Sequence, residues 1–160
     1  MRILGIDPGI GRTGWGVIEV QGSKCKLQSY GCVETKAGQE ISQRLLQIHQ
    51  EIVSCFEQFH PEELAIEELF FNTNTTTAFS VGQARGVVIL TSAQNNIPVV
   101  SYTPLQVKLA ITGYGRAEKS QIGQMVKVLL KLESIPKPDD TADALAIALT
   151  HAFSRKLKSL

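Results

Sequence analysis

The chain opens with apolar runs separated by short glycine-bearing breaks, at the period of β-strands. Three strands are predicted at roughly 2–7, 14–20 and 24–33, with connections short enough to make neighbours antiparallel. The period then changes. Ile41, Leu45, Ile48, Ile52, Phe56 and Phe59 recur every three or four residues, which predicts a helix that Pro61 stops. A fourth strand is predicted at about 63–67. The polar tract Asn72 to Thr77 then supplies capping residues for a helix over about 77–95. Pro98 to Tyr102 reads as strand five. Helices at about 104–112 and 118–131 follow, separated by Gly113-Tyr114-Gly115, and the second presents Ile122, Met125, Val126, Leu129 and Leu130 on one face. Pro136 and Pro138 stiffen a linker into a last helix at about 140–154. A short basic tail, about 155–160, carries Arg155, Lys156 and Lys158.

This order predicts an α/β protein with a five-stranded mixed sheet. Three antiparallel strands are followed by two parallel ones, with helices on both faces and strands 1, 4 and 5 in the centre. The 160 residues are expected to form a single domain. No apolar run approaches the ~20 residues of a membrane span. The N-terminal apolar stretch breaks at Pro8-Gly9, too early for a signal peptide, so no membrane association and a cytoplasmic location are expected. Cys25, Cys32 and Cys55 lack metal-type spacing and read as reduced structural thiols. Cys25 and Cys32, seven apart, would face opposite sides of one strand.

The net charge of +1 excludes little, but its distribution is uneven. Residues 34–70 hold eight acids against two bases, whereas residues 71–160 hold ten bases against five acids, three of them Asp139, Asp140 and Asp143. A basic second half suits a polyanion such as nucleic acid, although a solvated surface would look the same.

Four carboxylates break the apolar pattern. Asp7 ends the run from Met1 to Ile6, Glu67 ends Leu64-Ala65-Ile66, and Asp140 and Asp143 open the last apolar helix. Carboxylates flanking buried elements are costly to desolvate unless positive charge meets them. Asp7 and Glu67 fall at the carboxyl ends of strands, where sites in α/β sheets lie. If Ile66 faces the core, Glu67 faces the other way. Asp140 and Asp143, three apart, share a helix face. Each acid also has a plain structural role. Asp7 would cap its own turn, one of Glu67 and Glu68 would be a surface group, and first-turn acids favour the helix dipole. Pro8-Gly9 would leave room for a phosphate or metal beside Asp7, and Asp139 reads as the N-cap or a solvated neighbour.

Together, with no matched His or Cys, the four acids read as a hard cation site for Mg²⁺. They could hold two ions about 3.5–4 Å apart, one sharpening an attacking water and the other stabilising the leaving oxygen of a phosphodiester. Lys108 and Lys119 would contact phosphates or remain solvated. Phe70-Phe71 would stack on unpaired bases or pack under the loop. His49 and His60 read as surface or capping groups, His151 stands isolated in the last helix, and no histidine is expected to be a ligand.

Taken together, Gly5-Ile6-Asp7-Pro8-Gly9, Thr13-Gly14-Trp15-Gly16, Ala65-Ile66-Glu67, Gly82-Gln83-Ala84-Arg85-Gly86, Ala117-Glu118-Lys119-Ser120-Gln121 and Asp140-Thr141-Ala142-Asp143-Ala144-Leu145-Ala146 closely resemble the RuvC family of bacterial Holliday-junction resolvases. The resemblance covers essentially the whole chain. It implies a ribonuclease-H-like fold and a homodimer that grips a four-way DNA junction. Paired nicks in strands of like polarity would leave 5′-phosphate and 3′-hydroxyl ends. It implies that Asp7, Glu67, Asp140 and Asp143 bind Mg²⁺ or Mn²⁺. Lys108 and Lys119 would lie near the scissile phosphate, and Phe70 would meet bases at the junction centre. Gln83 to Gly86 would lie on the dimer-forming helix, and RuvA and RuvB would be partners. The family varies between Asp and His at the position of Asp140.

Two other classes compete. Actin-like and sugar-kinase ATPases also place an Asp-Gly-rich loop after a first strand, but they need two lobes. A junction-binding module without catalysis would be favoured if any of the four acids were neutral, and none is.

Overall fold

The computed structural model describes residues 1–68 and 75–158. Strands β1 (Arg2–Asp7), β2 (Arg12–Gln21) and β3 (Lys24–Glu34) form an antiparallel meander. Helix α1 (Ile41–Phe59) leads to β4 (Glu63–Glu67), parallel to β1, and α2 (Thr75–Gln94) leads to β5 (Val99–Tyr102), parallel to β4. Helices α3 (Pro104–Thr112), α4 (Lys119–Leu129) and α5 (Asp139–Lys158) complete the described chain.

The strand order is β3-β2-β1-β4-β5, so β1 lies at the centre and β5 at an edge. That corrects the expectation of a central β5. The meander extends the sheet on one side of β1, and a strand of only four residues, with Val99 and Val100 half-buried, ends it on the other. The predicted elements otherwise appear with shifted ends. The last helix begins at Asp139 and runs on to Lys158.

Alternation along the central strands divides two cores. Leu4, Ile6, Trp15, Val17, Leu64 and Ile66 face α1 and α2, while Ile3, Ile18, Ala65 and Tyr102 face α3, α4 and α5. Ile3, Leu4, Ile6, Val17, Ile18, Leu64 and Ile66 are fully buried, each contributing about 1.5–3 kcal/mol before chain entropy is counted. Helix α1 ends where His60 turns left-handed (φ 47°) and returns its N–H to the Phe56 carbonyl, the capping role expected of it. His49 departs from expectation. It is half-buried, and its Nδ1 lies 2.8 Å from Thr91 Oγ1, joining α1 to α2.

A bulge separates the pair Val17–Ser29 from Ile18–Leu27, leaving Gln28 without a partner. One extra residue reverses the alternation beyond it. Cys25 pairs with Val20 and Cys32 with Gly14, and both therefore face α5, contrary to the expectation of opposite faces. Among the described residues no helix is long and apolar enough to cross a membrane.

Candidate active site

The site is built where α5 lies against the sheet. Gly5 pairs with Gly16, and Asp7 with Gly14, so three glycines of β1 and β2 face α5 side by side. A Cβ at Gly14 would lie 2.1 Å from the Asp140 carbonyl oxygen, and one at Gly5 2.1 Å from that of Ala144. At Gly16 it would meet Leu145 Cδ2 at 2.4 Å. Backbone approach this close requires glycine. It brings the N-terminal end of α5, with Asp140 and Asp143, over the carboxyl ends of β1 and β4.

Asp7 and Glu67 end those strands. Asp7 shares the parity of Ile3 and Gly5, and Glu67 that of Ala65, so both turn toward α5. Thr141 fixes the start of α5 by donating from its backbone N–H and its Oγ1 to the Pro138 carbonyl, at 3.0 and 2.6 Å. Asp139 is exposed and bonded to Lys137 Nζ at 2.7 Å, which makes it a solvated neighbour of the cluster. The room expected at Gly9 is already used. A Cβ there would sit 2.4 Å from the Arg12 carbonyl, and the Thr13 hydroxyl closes the turn by accepting from Gly9 N–H and donating to Gly9 C=O.

Positive charge around the acids is sparse. Lys119 Nζ donates to Asp143 Oδ2 at 2.7 Å, and Arg12 Nη1 lies 3.9 Å from Asp140 Oδ2. Lys119 is set at the first residue of α4, where Gln121 Oε1 accepts the Glu118 N–H at 2.8 Å. Burial, then the charges of Glu67 and Asp143, push Asp7 up to about 8 despite the pull of Lys119. Burial, then Asp143, raises Glu67. The hydrogen bond to Asp143 holds Lys119 above the usual lysine range. These acids lie within Coulombic reach of one another, yet among the described residues no three His, Cys, Asp or Glu side chains converge closely enough to ligate one ion.

The donor set nevertheless fits a hard divalent cation. It is all carboxylate, and burial, then the neighbouring carboxylates, raises two of its members, Asp7 and Glu67. Cys32 lies across Gly14 from Asp7, but burial, then Asp140, push its thiol up to about 11, so it stays neutral. Sequence reasoning missed Arg12 and Cys32 as neighbours of the cluster. The spacing of Arg12 from Asp7 carried no signal, and the bulge hid Cys32. Lys108 is half-buried on α3 and makes no ion pair among the described residues. Phe70 lies outside the described residues.

The expectation of an isolated His151 fails as well. It is 3% exposed, at the other end of α5. Its Nδ1 lies 2.7 Å from Tyr102 Oη, and its Nε2 contacts Glu63, which Arg155 also grips.

Comparison with known proteins gives one answer. The family model described as "Crossover junction endodeoxyribonuclease RuvC" matches residues 3–151. A protein of that name from Brevibacillus brevis is 54% identical over 160 residues, covering 100% of this chain and 96% of the relative. One from Desulfitobacterium hafniense is 57% identical over 157 residues, covering 98% and 95%. Among solved structures, Thermus thermophilus RuvC in complex with Holliday junction substrate superposes with a TM-score of 0.94 at 40% identity, covering 99% of this chain and 96% of that one.

Proposed function

The chain belongs to the RuvC family of crossover junction endodeoxyribonucleases, and we propose that its acid cluster is the centre at which it cuts four-way DNA. The protein is a metal-dependent endonuclease of ribonuclease-H-like fold that resolves Holliday junctions in recombination and repair. It makes paired nicks in strands of like polarity and leaves 5′-phosphate and 3′-hydroxyl ends. The observation that supports the assignment of the site is that Asp7, Glu67, Asp140 and Asp143 lie within Coulombic reach of one another where α5 presses on the glycines of β1 and β2.

These four carboxylates would hold two Mg²⁺ ions, with Mn²⁺ able to substitute. Bound metal supplies Lewis acidity and an acidified water for phosphodiester hydrolysis. The chain's own contribution is to keep the carboxylates poised. Burial and the neighbouring carboxylates hold the Asp7 proton up to about 8, and it would leave as cation binds; the same causes raise Glu67. Lys119 holds Asp143 and would pass to a phosphate oxygen when DNA enters, and Lys108 and Phe70 would engage the backbone and bases nearby.

The chain works as one nuclease domain and as a homodimer. Support for the dimer comes from α2. Its inner face buries Ala84 and Val88, whereas Phe79 (71% exposed), Gly86, Leu90 (59% exposed) and Ala93 line the outer face, an apolar stripe fitted to a second copy. The place of action is the cytoplasm, with RuvA and RuvB as partners.

The deciding experiment is nicking of a labelled mobile four-way junction beside a linear duplex of the same sequence, with Mg²⁺ and with a chelator. Paired, metal-dependent nicks confined to the junction are expected. Cutting of both substrates would refute junction selectivity, and tight binding without cutting would refute catalysis.

A further inference from the structure

Arg85 reaches from α2 to the carboxyl ends of β4 and β5. Its Nε donates to the Glu67 carbonyl at 3.1 Å and its Nη2 to Ser101 Oγ at 2.7 Å. Ser101 pairs with Ile66, and Tyr102 with Glu67, so one side chain spans two neighbouring strands. Support is needed at that point. Pairing of β4 with β1 stops at Ile66, so Glu67 is laddered on the β5 side alone. Among the described residues no carboxylate pairs with Arg85, so its planar donors are committed to these neutral oxygens.

We propose that Arg85 is a positioning residue for Glu67. By clamping the ends of β4 and β5 it fixes the direction from which the Glu67 carboxylate enters the acid cluster, and so sets the cluster's affinity for a divalent cation. The inference rests on the reading of Glu67 as a metal ligand. It also joins the metal site to α2, the helix offered to the second copy. Donors that orient a ligating carboxylate from behind typically change metal affinity when removed, even though they never touch the ion.

The test uses the full chain and Mn²⁺ alone as probe, with free Mn²⁺ followed by electron paramagnetic resonance in the absence of DNA. Arg85→Met is expected to weaken Mn²⁺ binding about tenfold and to raise the Mg²⁺ needed for half-maximal single-turnover cleavage by a similar factor. Saturating metal should restore most of the rate. Junction affinity in chelator and the dimer's sedimentation should stay within about twofold of wild type, because no group that meets DNA is altered. Arg85→Lys, which can fill one of the two bonds, should fall between. Glu67→Gln run alongside separates two failures. If Glu67→Gln binds Mn²⁺ as wild type does, the reading of Glu67 is wrong. If it weakens binding while Arg85→Met does not, the role of Arg85 is wrong. Should Arg85→Met fail to fold, Ser101→Ala and Arg85→Lys decide. Smaller losses in the same direction support the clamp, and wild-type affinity in both overturns it.

Discussion

Glu63 and Glu67 begin and end β4 and face the same helix, α5, yet their surroundings treat them oppositely. Burial pushes on both. At Glu63 the hydrogen bonds from His151 and Arg155 outweigh it and hold the carboxyl below the usual glutamate range. At Glu67 the next-largest influence is another carboxylate, Asp143, and the value rises. The spacing fits the helix to both ends. Four strand residues span about 13 Å, and the eight from Asp143 to His151 span about 12 Å of helix. Helix α5 therefore places its N-terminal acids beside Glu67 and its C-terminal bases beside Glu63, each at the favourable end of its own dipole. A paired carboxylate locks the fold. One left short of positive charge is held ready for a cation that the fold itself does not supply.

The sharpest way to break this contrast is Asp7→Asn, which takes one charge from the unpaired end. If Asp7 is the metal ligand proposed, cleavage should fall by a factor on the order of 10³ or more while junction binding stays close to wild type. The same variant carries a pH signature in metal-free protein. Asp7 keeps its proton up to about 8 in the fold but releases it in the ordinary aspartate range when unfolded. Between those values the folded state binds the extra proton, so stability is full below the lower value and declines as pH rises toward about 8. Calorimetry with chelator should show that decline in wild type and a flatter curve in Asp7→Asn. Absence of any difference would mean that Asp7 is not buried among like charges.

Next in size is Gly14→Ala. The added Cβ would lie 2.1 Å from the Asp140 carbonyl, a backbone atom that cannot swing aside, so the first turn of α5 must lift. Overpacking of this kind costs about 1–3 kcal/mol of stability. A misplacement near 1 Å can cost about 10²-fold in rate. Cleavage should therefore drop far more than the thermal midpoint does, and unchanged cleavage would disconnect the glycine contact from catalysis. If Lys119 meets the reacting phosphate as proposed, Lys119→Ala should lower cleavage about tenfold, more than it lowers binding. It should also move the acid limb of the pH–rate profile upward, since Lys119 holds Asp7 and Glu67 down. A surface lysine would leave both unchanged.

At the paired end, Glu63→Gln should do the reverse. Removing one partner from this partly buried network, with Arg155 half exposed, should cost about 1–3 kcal/mol, or roughly 2–4 °C of thermal midpoint per kcal/mol in a chain of this size. Cleavage below the transition should stay as in wild type. Wild-type Glu63 contributes stability above the ordinary glutamate range, and that stability is lost as pH falls through its lowered value. The two ends of α5 thus predict slopes of opposite sign, the acid limb disappearing in Glu63→Gln beside its C-terminal end and the neutral limb in Asp7→Asn beside its N-terminal end. Loss of cleavage in Glu63→Gln would show that the ends are coupled.

Much of this was legible in the residues. Three-and-four spacing marks α1, and alternation marks β1 and β4 with the parity that turns Glu67 away from Ile66. The motifs from Gly5 to Asp143 point to the family. What stayed hidden depends on contacts distant in sequence. His151 looks isolated because Tyr102 and Glu63, 49 and 88 residues away, come to it only through the sheet. Gly5, Gly14 and Gly16 read as turn or strand glycines until α5 is seen resting on them. Placing β5 in the centre fails because strand order depends on which edge the meander occupies, and no local pattern states it. The closeness of the acids is a matter of tertiary packing, and their protonation follows from it.

The least expected effect tests the parity lesson. Counting alternation alone puts Cys32 and Cys25 on opposite faces, but the unpaired Gln28 puts both on the α5 face, with Cys32 one strand away from Asp7 through Gly14. A thiol so placed would matter if it ligated metal. Its proton is held up to about 11, first by burial and then by Asp140, so at neutral pH it offers no thiolate to compete with the carboxylates. Cys32→Ala should therefore leave Mg²⁺-dependent cleavage within about twofold of wild type, the range of an ordinary partly exposed position. Cadmium, which prefers sulfur, should bind the variant as it binds wild type. A clear loss of cadmium affinity in Cys32→Ala would mean that the thiol joins the cluster, and that the unpaired end of α5 is less purely a carboxylate site than its charges indicate.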